Sequence, residues 1–126
     1  MAQYAEIVEI AAPGRAAAGS RVDITVRIKN IYSSAVGIMA GGALEYGVTP
    51  WPGIDFPDNI ANVSAGSTHS FYGSFIMPNS DVTIHAYSYY YGTDGYWHFD
   101  DEKTKEVGLE TEAYFSDMEI TRFVRV

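Results

Sequence analysis

The sequence contains no cysteine. That excludes disulfide staples, thiolate metal sites and cysteine nucleophiles together. Basic residues are scarce as well, 8 Lys and Arg against 16 Asp and Glu, for a formal charge of −8 over 126 residues. The few that exist are scattered, with no cluster to follow a phosphate backbone. The balance therefore predicts no nucleic-acid binding and no electrostatic adhesion to anionic lipid. No apolar run approaches the roughly 20 residues of a membrane span, so no membrane insertion is expected. The first residues, Met1-Ala2-Gln3-Tyr4-Ala5-Glu6, lack the basic-then-apolar order of a signal peptide. They predict cytoplasmic synthesis without a visible signal peptide. Catalytic signatures are missing too: no Gly-x-Ser-x-Gly, no His-Glu-x-x-His and no phosphate-binding glycine loop. A non-enzyme with no cofactor and no metal is expected.

What is present is apolar surface. Apolar residues make up 47% of the chain, with 10 tyrosines, 6 phenylalanines and 2 tryptophans. That suffices for one packed domain. In Arg21-Val22-Asp23-Ile24-Thr25-Val26-Arg27-Ile28-Lys29, four aliphatics alternate with polar residues. Period two with one buried face is a strand, because a helix would scatter these four around its circumference. Gly19-Ser20 before it and Asn30 after it read as turn residues. A second strand is predicted over 67–77, with His69, Phe71, Phe75 and Met77 on one face, and a third over 81–91, with Val82, Ile84 and Ala86 on one face. Their tight Pro78-Asn79-Ser80 connection predicts antiparallel neighbours. Gly92-Thr93-Asp94-Gly95 turns the chain into a hairpin arm, 96–100, continued by Val107 and Leu109 after a charged interruption, 101–106.

Upstream, 5–10 reads as an opening strand and 35–46 as a longer one, bent or bulged at Gly41-Gly42. Pro50, Pro52 and Pro57 fall within eight residues. They exclude a central strand, so 47–61 is predicted to be a long crossover loop. The sum is an all-β chain: an immunoglobulin-like antiparallel β-sandwich of about seven strands plus a C-terminal extra strand. Residues 1–110 form the sandwich. Residues 111–126 form a tail in which Met118, Ile120, Val124 and Val126 share a face. That tail suits an edge strand, a strand donated to a neighbour, or the start of a next repeat.

The run from Ala17 to Asn30, with its Gly19-Ser20 turn, alternating valine-rich strand and Lys29-Asn30 end, resembles the opening of CARDB-type domains. These are cell-adhesion-related, immunoglobulin-like modules of bacterial and archaeal surface proteins. The stretch from Ala65 through Phe75-Ile76-Met77-Pro78 to Val82-Thr83-Ile84 resembles a strand pair of bacterial surface and phage-associated β-repeats. The two patterns cover about residues 5–110. The resemblance implies adhesion, display or spacing, and brings no catalytic residues with it. The tyrosine-rich third strand and the proline-rich loop depart from the generic pattern.

Three features exceed what a scaffold needs. Tyr87, Tyr89 and Tyr91 alternate onto one face of their strand, opposite Val82, Ile84 and Ala86. Tyrosine offers flat apolar area and a hydroxyl at low entropic cost, suited to protein or glycan recognition; stiffening of the sheet is the structural alternative. Trp51 and Phe56, with Ile54, sit in the proline-rich loop, as a partner contact or as a lid over one end of the sandwich. The tail residues Met118, Ile120, Val124 and Val126 form a candidate assembly strand. Trp97 and Phe99 share a face expected to point inward. His85 and His98 are within reach across the hairpin, without a third metal ligand. Asp94, Asp100, Asp101 and Glu102 suit a solvated charged face, and Asp100 and Asp101, adjacent on a strand, are expected to point to opposite faces. The expected function is a structural or adhesion module of a cell surface or virion, working through protein partners or self-association as a homo-oligomer or repeat array. Carbohydrate binding on the tyrosine face is the alternative.

Overall fold

A computed structural model describes residues 2–110; the predicted tail strand lies outside the described residues. Among these residues there is no helix. Eight strands form two sheets: β1 (Ala5–Ala11), β2 (Arg15–Ala16), β3 (Arg21–Asn30), β4 (Val36–Glu45), β5 (Ile60–Val63), β6 (Thr68–Ile76), β7 (Val82–Tyr91) and β8 (Trp97–Leu109). One sheet has the order β1-β3-β6 and the other β2-β8-β7-β4-β5. The chain is a β-sandwich, as the alternating patterns predict. One short ladder departs from antiparallel pairing: β2 runs parallel to the end of β8.

The core lies between the sheets. Val22, Ile24, Val26 and Ile28 point inward from β3, Phe71 and Phe75 from β6, Ile38 and Leu44 from β4, and Val82, Ile84 and Ala86 from β7. Burying a side chain of this size contributes about 1.5–3 kcal/mol, so these strands hold the fold by their alternation. Asn30 takes the next inward position of β3 and is fully buried. It is not a turn residue. Its Nδ2 donates to Ser34 O at 2.8 Å and Val63 O at 2.9 Å, and its Oδ1 accepts from Tyr32 N at 2.8 Å.

Two predicted pairings are corrected. β6 and β7 are not neighbours; β6 pairs β3, and β7 pairs β4 and β8. The Pro78-Asn79-Ser80 link crosses between sheets, because Met77 and Val82 both enter the core from opposite layers. β4 carries no bulge at Gly41-Gly42: its register with β7 runs unbroken from Ile38 to Glu45. Gly42 serves close approach instead, since a Cβ there would lie 2.9 Å from His85 O and 3.0 Å from Ile54 Cδ1.

Both flanks of the sandwich are closed by contacts between the sheets. On one flank the proline-rich loop runs along the free edge of β4. Leu44 N donates to Pro52 O, Ile54 N to Gly42 O, and Asp55 exchanges both backbone bonds with Ser74 of β6. On the other flank β1 leans on β8. Asp100 accepts the N–H groups of Gln3, Tyr4 and Ala5, and Asp101 accepts that of Ile7. Lys103 Nζ and Ser88 Oγ donate to Ile7 O and Ala5 O. Side chains of one sheet thus satisfy the outer edge of the other.

That arrangement overturns the expected separation of Asp100 and Asp101. The β7–β8 register passes from Ser88↔Asp101 to Tyr89↔Phe99, leaving Asp100 as a bulge residue. The extra residue turns both carboxylates toward β1. The Asp101 side chain is only 11% exposed, so it belongs to no solvated face. The charged run 101–106 is part of one continuous strand rather than an interruption.

Candidate functional site: an aromatic sheet face

The bulge at Asp100 also decides which aromatics reach solvent. Counting by twos back from the buried Val107 places Phe99 and Trp97 in the core. One inserted residue reverses that parity. Trp97 and Phe99 pair with Tyr91 and Tyr89 and stand on the outer face of the five-stranded sheet, contrary to the inward placement expected. Phe99 is 58% exposed.

β7 supplies the centre of this face. Its outward positions are Thr83, His85, Tyr87, Tyr89 and Tyr91, opposite the buried Val82, Ile84, Ala86 and Ser88. The rings fall into two neighbouring groups. His85 and Tyr87 lie 6.5 Å apart, Tyr87 and Phe99 6.1 Å, Tyr89 and Phe99 6.0 Å, and Tyr91 and Trp97 5.2 Å, the last three edge-on. Edge-to-face geometry is the favoured aromatic arrangement and fixes each ring's tilt. Small residues of β4 make room beneath. A Cβ on Gly41 would sit 3.6 Å from the Tyr89 ring, and one on Gly37 3.2 Å from Tyr91 Cβ. From His85 to Tyr91 the face extends about 20 Å along β7 at roughly 3.3 Å per residue.

Trp51 extends the row at one end. Its indole stacks on His85 with centroids 4.3 Å apart and planes at 26°. Beneath it, His85 Nδ1 lies 2.7 Å from Glu102 Oε2 and Nε2 2.8 Å from Glu45 Oε1. Two ionised carboxylates accept from both ring nitrogens of a protonated imidazole, which is the form this arrangement favours. Burial disfavours that charge, but the hydrogen bonds to Glu45 and Glu102 and their Coulombic attraction outweigh it, and the His85 pKa is raised. Burial, and next to it the Glu102 charge, raise the Tyr87 pKa, so its phenol stays protonated as a donor.

The structure brings Tyr87, Tyr89, Tyr91 and Trp51 onto one surface. Phe56 stands apart, 9% exposed in the core with its ring against Gly42 and Gly73. The proline-rich loop divides its aromatics: Ile54 and Phe56 close the flank, and Trp51 faces out. Met118, Ile120, Val124 and Val126 lie outside the described residues. His85 and His98 do not meet, because His98 pairs with Tyr90 on the inward side of the hairpin while His85 faces outward opposite Thr104. Asp94 bonds His98 rather than joining Asp100 and Asp101. Phe99 and Trp97 are the site residues that alternation alone misplaced, because Trp97, Phe99, Val107 and Leu109 keep one parity in the sequence and the extra residue shows only in the pairing with β7.

No family model matches the sequence, and no curated protein matches it. Among solved structures, the Pseudomonas fluorescens alkylpurine DNA glycosylase AlkC superposes with TM-score 0.58 at 9% identity, over 83% of this chain and 30% of the glycosylase. This chain thus spans under a third of that enzyme. The PKD domain of an M14-like peptidase from a Thermoplasmatales archaeon matches with TM-score 0.52 at 14% identity, over 86% of this chain and 98% of the domain. The sporulation control protein Spo0M of Bacillus subtilis matches with TM-score 0.52 at 14% identity, over 89% of this chain and 51% of that protein. At these identities the likeness is one of fold: an immunoglobulin-like β-sandwich.

Proposed function

We propose that this chain is a non-catalytic structural and adhesion module that joins proteins, copies of itself included, through the outer face of its five-stranded sheet. The observation that carries the reading is the set of rings on this face, Trp51, Tyr87, Phe99 and Tyr89 in one group and Tyr91 with Trp97 in another, with Trp51, Phe99 and Tyr91 exposed to solvent. Ordered aromatics offer contact area at little entropic cost, and an exposed apolar row of this length is what protein contact surfaces use. The CARDB-type resemblance of residues 17–30 supports the adhesive reading, with a place on a cell surface or in a virion. Similarity to a DNA glycosylase does not bring DNA binding with it, since a charge of −8 without a basic cluster opposes it.

Carbohydrate binding is the second reading. Trp51, 38% exposed and stacked on His85 at the end of the face, is the kind of ring on whose face a sugar stacks. Sedimentation velocity across concentration tests the first reading. Reversible association is expected, and Phe99→Ser with Tyr89→Ser should abolish it. A wild-type chain monomeric at every concentration, or a variant that associates equally, counts against the face as a contact between copies. Glycan binding that persists in Tyr89→Ala/Tyr91→Ala removes the second reading from this face.

A further inference from the structure

A second group of rings lies at the end of the sandwich where the β3–β4 and β7–β8 connections meet. Tyr4 precedes β1, Tyr32 follows β3, Tyr90 points inward from β7, and His98 stands across from it on β8. Tyr4 meets Tyr32 edge-on with centroids 4.9 Å apart, and Tyr90 at 4.4 Å with planes at 48°. Tyr90 stacks on His98 at 5.2 Å. With Tyr91 and Asp94 these residues line an open cleft of about 770 Å³.

Among the described residues no lysine or arginine lines the cleft, and its charged groups are Asp94 and, when protonated, the His98 paired with it. Asp94 holds His98 Nε2 with both carboxylate oxygens, at 2.9 and 3.0 Å. The His98 hydrogen bond, and next to it the Tyr96 backbone N–H, keep the Asp94 carboxyl below the usual range, so it is ionised at neutral pH. Gly92 permits this pair, since a Cβ there would sit 2.6 Å from Asp94 Oδ1 and 2.8 Å from the imidazole. Aromatic faces are the negative side of the ring quadrupole. Rings tilted against one another beside a carboxylate attract a cation, repel an anion, and give a neutral apolar group no return for desolvating the carboxylate.

We propose that this end cleft binds the basic side chain of a protein partner, a lysine ammonium or an arginine guanidinium, over the Tyr4, Tyr32 and Tyr90 rings and beside Asp94. That the partner is a protein rests on the reading above; recognition of the cation does not. The test is an NMR titration of the full chain at low ionic strength with N-acetyl-lysine amide, N-acetyl-arginine amide and the neutral N-acetyl-norleucine amide. The two charged probes are expected to shift Tyr4, Tyr32 and Tyr90 ring signals saturably, and the norleucine probe to bind about threefold to tenfold more weakly. Tyr32→Ala and Asp94→Asn, both at exposed positions, should each weaken the lysine probe by about threefold or more. Phe99→Ser/Tyr89→Ser, which removes the outer face, should leave it unchanged, so failure of the sheet-face reading is separable from failure of this one. Equal binding of lysine and norleucine probes, or no saturable shift at these rings, overturns the proposal.

Discussion

The Trp51 indole lies stacked on the His85 imidazole, ring centroids 4.3 Å apart, and that imidazole is held between Glu45 and Glu102. This ties the proline-rich loop, β4, β7 and β8 together through one titratable group. The folded pKa of His85 is raised, so its stabilising contribution is complete below the unfolded value of about 6.5 and is lost as pH rises through the folded value. The facing groups on the packed elements are Glu45, Glu102, Thr83, Tyr87 and Thr104, and only the two glutamates and Tyr87 titrate. The urea midpoint is expected to fall as pH rises above about 6.5, with a parallel change in Trp51 fluorescence. In His85→Gln that fall should vanish. An unchanged slope in the variant would place the titration elsewhere.

Asp100 ties β1 to the bulge of β8. Its carboxylate accepts three backbone N–H groups, at 2.8, 2.9 and 2.7 Å, from Gln3, Tyr4 and Ala5. Asp100→Ala leaves those donors without their acceptor and is expected to cost about 2–4 kcal/mol in urea unfolding. It also removes the reason for the bulge. A loss of the bulge would show as changed amide hydrogen exchange on either side of residue 100, with Phe99 turned inward.

The uneven legibility of this chain in its sequence has the same origin. β3 and β7 were readable because period two survives along their whole length, and Tyr87, Tyr89 and Tyr91 follow from it. Asn30 continues that period and was legible as an inward residue, but its type suggested a turn. Phe99 and Trp97 were misplaced because a bulge is set by contacts with β1, some 95 residues away, and leaves no local mark. The Pro78-Asn79-Ser80 link misled because a tight connection serves a hairpin and a crossing between layers equally well. The Tyr4–Tyr32–Tyr90 cluster depends on three distant segments, which no spacing reveals.

Phe56 and Gly73 are packed at the limit of contact. A Cβ on Gly73 would lie 2.7–3.0 Å from three atoms of the Phe56 ring. Gly73→Ala is expected to cost about 1–3 kcal/mol by overpacking. Phe56→Leu leaves a shorter side chain there, and Gly73→Ala in that background should cost less than in the wild type. A double-mutant cycle by urea denaturation measures the difference. Strict additivity would mean that the loop moves away from β6 instead of yielding at the ring.

Asn30 supports the end cleft from beneath. It fills the last inward position of β3, and its three side-chain hydrogen bonds fix Tyr32, Ser34 and Val63 relative to one another. Tyr32 lines the cleft from the same connection. Asn30→Ala removes the amide, leaves Val63 O without that donor, and opens a small cavity, for a loss of about 2–4 kcal/mol. Asn30→Asp keeps the shape and the acceptor for Tyr32 N, but replaces a donor to two carbonyls with a charge that repels them, and should be at least as destabilising. Asn30→Ala should therefore weaken the lysine probe at the Tyr4, Tyr32 and Tyr90 rings under conditions where the variant is still folded. Phe71→Leu, a core change in β6 away from the cleft, should lower stability without that loss. If Phe71→Leu weakens the probe equally, the cleft responds to overall stability and not to the connection that Asn30 holds.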